Sequence, residues 1–139
     1  VKYMLMLYAS QRAYDEMAGN VPEDEAVWSA EELAEMYEFM EKFNQDLVES
    51  GEFVDAQGLA APVHTRRFHM KDGAPAVTDG PYPETAEVLA GYTVIECDSF
   101  DRASQIAARL AQCPGPEGAR ERAYADLRPI VDGRADLEP

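Results

Sequence analysis

The chain has 139 residues, a length that suits one domain with a single core, and 46% of them are hydrophobic. Twelve basic residues against 27 acidic ones give a net charge of −15, which repels phosphate backbones and anionic membranes, so neither nucleic acid nor a membrane is an expected partner. No run approaches the roughly 20 apolar residues that span a bilayer. The two cysteines, Cys97 and Cys113, make neither a disulfide framework nor a metal-ligand spacing, so a reduced cytoplasmic compartment is expected.

Val1 to Tyr8 is apolar but lacks a basic leader and a cleavage site, and reads as a first strand rather than a signal peptide. An irregular or partly helical stretch follows from Ser10 to about Trp28, broken at Gly19-Asn20-Val21-Pro22. Ser29 and Glu32 then form a capping box, and Trp28 and Leu33 stand at the positions of a hydrophobic staple. Leu33, Met36, Tyr37, Met40, Asn44, Leu47 and Val48 keep helical spacing, with Asn44 the one polar member, and Gly51 ends the helix in a left-handed turn.

Strands are expected from Glu52 to Leu59, from Val63 to Met70, and from Ala74 to Thr78, the last two joined through Asp72-Gly73 as a hairpin. Val88 to Cys97 is rich in β-branched and aromatic residues and reads as a central strand. Asp98 or Ser99 caps a second helix with apolar positions Phe100, Ala103, Ile106, Ala107 and Leu110, stopped by Pro114-Gly115-Pro116. Tyr124 to Val131 closes as a last strand. Residues 1–131 are thus expected to form one domain, and 132–139 a polar tail.

The order β-α-β-(β-β)-β-α-β is a ferredoxin-like α+β arrangement with an inserted hairpin. Tyr3, Leu5 and Leu7 fall on one side of the first strand, and Met4, Met6 and Tyr8 on the other. A sheet apolar on both faces needs a second cover. A second subunit supplies it most simply, so a sheet-to-sheet homodimer of the dimeric α+β barrel type is predicted.

The stretch Thr78-Asp79-Gly80-Pro81-Tyr82-Pro83-Glu84-Thr85-Ala86-Glu87, followed by Gly91-Tyr92, resembles the DGPF-domain family, which is related to the YCII-like proteins. Lys2-Tyr3-Met4-Leu5, Gly51 to Leu59, Cys113-Pro114 and Leu127-Arg128-Pro129-Ile130-Val131 extend the likeness over nearly the whole chain. Tyr82 replaces the usual Phe and Ala86 the usual Lys. The wider YCII-like group is thought to use a His–Asp pair. This chain has no histidine in its first long helix, and Cys113-Pro114 stands where that group's Asp-Pro is expected. Its chemistry is therefore not carried over. The resemblance implies a small-molecule site without a cofactor, or an accessory role beside an extracytoplasmic-function sigma factor, for which an acidic dimer would need a basic protein partner.

Asp79 is the leading candidate for catalysis, a carboxylate in a rigid Gly-Pro turn that could act as base in proton transfer. The same triplet is explained by turn chemistry alone. Glu84 could pair with Asp79. Arg128, on an apparently internal strand, would meet a carboxylate or an anion and could steady developing charge. Tyr3, Tyr92, Tyr8 and Tyr124 could line a pocket between sheet and helices near the Asp79 turn. His64 and His69, five apart on one strand, would face opposite ways and could not share a metal. No metal site is expected.

Overall fold

In the computed structural model, which describes residues 1–133, the chain opens with strand β1 (Lys2–Ala9). Tyr3 and Leu5 are buried and Met4 and Met6 half-buried, as the alternation requires. Helix α1 (Gln11–Ala18) is capped by Ser10, whose hydroxyl accepts the Ala13 N–H at 3.1 Å. It buries none of its residues, which is why no apolar period announces it. A single 3₁₀ turn at Glu23–Glu25 leads to helix α2 (Ala30–Ser50). Ser29 and Glu32 form the capping box at 3.0 and 2.9 Å, and Gly51 closes the helix at a φ of 79°.

Strand β2 (Phe53–Gly58) is followed by a 3₁₀ turn at Pro62–His64 and the hairpin strands β3 (Arg66–Lys71) and β4 (Ala74–Asp79). Asp72 and Gly73, at φ 51° and 79°, make the tight two-residue turn that Asp-Gly favours. The expected strand from Val63 is corrected here: Pro62 starts a helical turn with its fixed φ, and extended pairing begins only at Arg66. His64 therefore lies outside the strand that holds His69.

Strand β5 (Val88–Glu96), helix α3 (Phe100–Leu110), short helix α4 (Glu117–Arg122) and strand β6 (Ala125–Pro129) complete the order. The four long-range strands form an antiparallel sheet in the order β2-β5-β1-β6, which is the ferredoxin-like α+β fold, and β3 and β4 make a separate two-stranded ribbon. Among the described residues β6 is an edge strand, paired only with β1, so Arg128 is not internal there. Pro129, without an N–H, is tolerated at such an edge. Beyond Gly133 the expected C-terminal tail lies outside the described residues.

The core draws on one face of the sheet. Tyr3, Leu5 and Ile95 pack with Phe43 and Leu47 of α2 and with Ala103, Ile106 and Leu110 of α3. Leu5, Phe43 and Ile95 are fully buried, each burial contributing roughly 1.5–3 kcal/mol. Glu52 of the α2–β2 junction accepts both Arg102 Nε and Nη2 of α3, at 2.8 and 2.7 Å, and Asp46 of α2 accepts Arg109 of α3 at 2.6 Å. The Asp46–Arg109 pair thus fastens α3 to α2, and the Glu52–Arg102 pair fastens α3 to the junction that follows α2. The other face of the sheet gives no residue to this cluster. In register it presents Met4, Met6, Tyr92 and Val94, with Asp55, Asp126 and Arg128 on the flanking strands.

Candidate functional site

Asp79 is the last residue of β4, and its carboxylate lies 3.4 Å from Arg66 Nε, directly across the ribbon. Its side chain is 79% exposed. Gly80 takes a φ of 51° and donates its N–H to Thr65 O at 2.8 Å, which closes the ribbon's base. Tyr82 then lies under the Arg67 guanidinium, 5.1 Å from ring centroid to cation, and Glu84 O accepts the Arg12 N–H of α1 at 3.1 Å. The Asp79-Gly80-Pro81-Tyr82 turn therefore joins the ribbon to α1 through backbone and ring contacts. The ionic partner of Asp79 is Arg66 rather than Glu84.

The other sequence candidates are dispersed. Tyr3 is buried in the core, its ring 5.9 Å from that of Phe100. Tyr92 faces the opposite way and donates its hydroxyl to Asp55 Oδ2 at 3.3 Å. Tyr3 and Tyr92 cannot line one cleft. Arg128 shares the second face with Tyr92, on the far side of β1, opposite Met4 in register. It makes no ion pair among the described residues, so the carboxylate partner expected for it is not found among them.

What the fold does assemble is a set of phenols and charges on that second face. Tyr8, just past a register shift in β1, stacks on Tyr124 with centroids 5.3 Å apart and planes 23° from parallel. Tyr124 donates its hydroxyl to Glu87 at 2.9 Å. Tyr8's hydroxyl meets Met6 Sδ at 3.7 Å, and burial followed by the neighbouring Asp126 carboxylate raises the phenol above its ordinary range, with Arg128 opposing. The bond to Glu87, then burial, raises Tyr124; burial, then Asp55, raises Tyr92. All three phenols are thus held as neutral donors beside carboxylates, and Arg128 is the cation among them. Tyr8, Tyr92, Tyr124 and Arg128 carried a sequence signal as aromatic and basic strand residues. Asp55, Glu87 and Asp126 did not, because only the strand register brings them to the phenols.

A concavity of about 90 Å³ lies elsewhere, between α2 and α3, and is lined by Phe43, Asp46, Leu47, Arg102 and Arg109 among others. Its charges are satisfied internally. Arg109 holds the Asp46 carboxyl below its usual range, and Arg102 does the same to Glu52. Among the described residues, no three His, Cys, Asp or Glu side chains gather as a metal site, and no helix is long and apolar enough to cross a membrane.

The YCII-related domain family model matches residues 1–124, and the chain belongs to that family. It is also similar to the uncharacterized protein R00369 of Rhizobium meliloti (strain 1021), 30% identical over 111 residues that cover 78% of this chain and 86% of that protein.

Proposed function

For this member of the YCII-related family, we propose a cytoplasmic, homodimeric small-molecule-binding protein of the DGPF type, with its ligand held on the second face of the sheet. One observation carries the reading: Arg128, a guanidinium without an ion pair among the described residues, stands on the same face as the stacked Tyr8–Tyr124 pair in a chain of net charge −15. In such an acidic protein a cation left open beside aromatic rings suits a planar ligand bearing a carboxylate, the guanidinium forking onto the anion and the rings meeting the plane. The half-buried residues Met4, Met6 and Tyr92 on that face supply the apolar surface for the site and for a second subunit.

Proton transfer with Asp79 as base draws support only from the rigidity of its turn. A carboxylate 79% exposed and paired with Arg66 lacks the desolvation that tunes a base. Binding without turnover is the reading the geometry favours. The test is a calorimetric titration with benzoate as the minimal aromatic carboxylate: the wild type binds, and Arg128→Gln loses about tenfold or more in affinity. Equal binding by the two proteins removes Arg128 from the site.

The accessory reading has its own support in the exposed carboxylates Glu31, Glu35, Glu38, Glu41 and Glu49 along α2, which would suit a basic protein surface. Titration of a purified extracytoplasmic-function sigma factor at low and high salt tests it. Salt-sensitive binding favours it, and no binding at low salt removes it.

A further inference from the structure

The polar groups on the second face of the sheet divide into those the chain satisfies and those it leaves open. Tyr92 donates to Asp55 at 3.3 Å and Tyr124 to Glu87 at 2.9 Å, so both of these phenol–carboxylate pairs are complete. Asp126 and Arg128 differ. They lie opposite Met6 and Met4 on β6, so they project from the same face as each other and as the methionines. Both are exposed, and neither makes an ion pair among the described residues, with the other or with a third group. Opposite charges that stand side by side without closing on each other offer one acceptor and one set of donors to a third body.

Their order along the edge gives that body a shape. Arg128 stands beside Met4, Asp126 beside Met6, and the stacked rings of Tyr124 and Tyr8 come next. Burial first, and the Asp126 carboxylate next, raise the Tyr8 phenol, so Asp126 sits close to that hydroxyl. A carboxylate has about four acceptor positions, and one phenol does not exhaust them. Two residues of extended strand separate their Cα atoms by about 6.6 Å, which is close to the span from the carboxyl carbon to the para oxygen of a hydroxybenzoate. The methionines alongside supply soft apolar surface for the ring. Charge also fixes what the far end of the ligand must lack. A second carboxylate there would meet Asp126 directly, and like charges so placed repel.

We propose that Asp126 determines the specificity of this site, and that the ligand is a monocarboxylate ring with a hydrogen-bond donor opposite the carboxylate, of the para-hydroxybenzoate kind. The carboxylate forks onto Arg128 and the hydroxyl donates to Asp126. This inference rests on the ligand site of the proposed function and adds the second end of the ligand to it.

The test is a calorimetric titration of the full chain with benzoate, para-hydroxybenzoate, para-methoxybenzoate and terephthalate. Wild type is expected to bind para-hydroxybenzoate about tenfold more tightly than benzoate, since the added hydrogen bond has a charged acceptor. The methoxy compound, which has no donor, should do no better than benzoate, and terephthalate should bind about tenfold more weakly than benzoate. In Asp126→Ala the preference for the hydroxyl should shrink to about twofold or less, and the rejection of terephthalate should shrink with it. Benzoate and para-hydroxybenzoate binding equally to wild type overturns the proposal, makes Asp126 a solvated edge charge only, and leaves the site at Arg128 standing. A hydroxyl preference that survives in Asp126→Ala overturns the role of Asp126. Failure of wild type to bind any of the four overturns both readings. Should Asp126→Ala fail to fold, the wild-type order decides. Para-hydroxybenzoate first and terephthalate last supports the proposal, and any other order overturns it.

Discussion

The rings of Tyr8 and Tyr124 lie 5.3 Å apart and 23° from parallel, so one aromatic pair joins the first strand to the residue that leads into the last. Tyr124→Ala should cost about 0.5–1.5 kcal/mol beyond the area it exposes, and loosen β6 before the rest of the sheet. Amide exchange of Ala125–Pro129 against that of β5 measures the difference.

The same pair sets an alkaline dependence. Both phenols are raised in the folded chain, Tyr8 by burial and Asp126, Tyr124 by Glu87 and burial. Their contribution is complete below the ordinary phenol value of about 10 and is lost as pH rises through the higher folded values. Phenolate absorbance should show late-titrating tyrosines in the wild type, and one fewer in Tyr124→Phe. An unchanged late fraction in that variant would separate Tyr124 from Glu87.

Glu52 predicts the opposite, acid-side behaviour. Its two hydrogen bonds to Arg102 depress its carboxyl, so its contribution is present above the ordinary value of about 4.3 and is lost as pH falls through the folded one. Glu52→Gln should lower stability by about 1–2 kcal/mol at neutral pH and flatten the acid limb of a urea-denaturation series.

The Asp79 turn offers a split between its residues. Gly80→Ala meets no steric obstacle, the nearest atom to a new Cβ being Val63 O at 3.7 Å, but it places an L residue at φ 51°. It should cost about 1–2 kcal/mol and increase exchange at the ribbon's base. Asp79→Asn removes an exposed ion pair and should change the melting temperature little, by less than about 0.5 kcal/mol of stability. Denaturant melts of the two variants side by side make the comparison.

These contrasts also show what local sequence can and cannot reveal. Helix α2 was legible because its ends carry Ser29, Glu32 and Gly51 and its core positions repeat; the ribbon was legible because Asp72-Gly73 permits few other turns. Helix α1, which buries no residue, was legible only as part of an irregular or partly helical stretch, and α4, six residues long, was not legible. Arg128 reads as lying on an internal strand, whereas among the described residues β6 pairs on one side only, which local sequence does not reveal. The site was harder still. Asp79 announces itself through its turn, yet which carboxylate approaches which phenol depends on register between β1, β2, β5 and β6, a non-local property. Tyr3 and Tyr92 look alike in sequence, and the pleat sends them to opposite faces.

The proposed ligand site is the second face of the sheet rather than the groove between α2 and α3, and its proposed occupant is a small aromatic carboxylate. Amide chemical shifts recorded during a benzoate titration test it most directly. Saturable shifts are expected to centre on Met6, Tyr8, Tyr124 and Arg128, with Asp46, Arg102 and Arg109 unmoved. Shifts confined to Asp46, Arg102 and Arg109, or none at a saturating concentration, would contradict it.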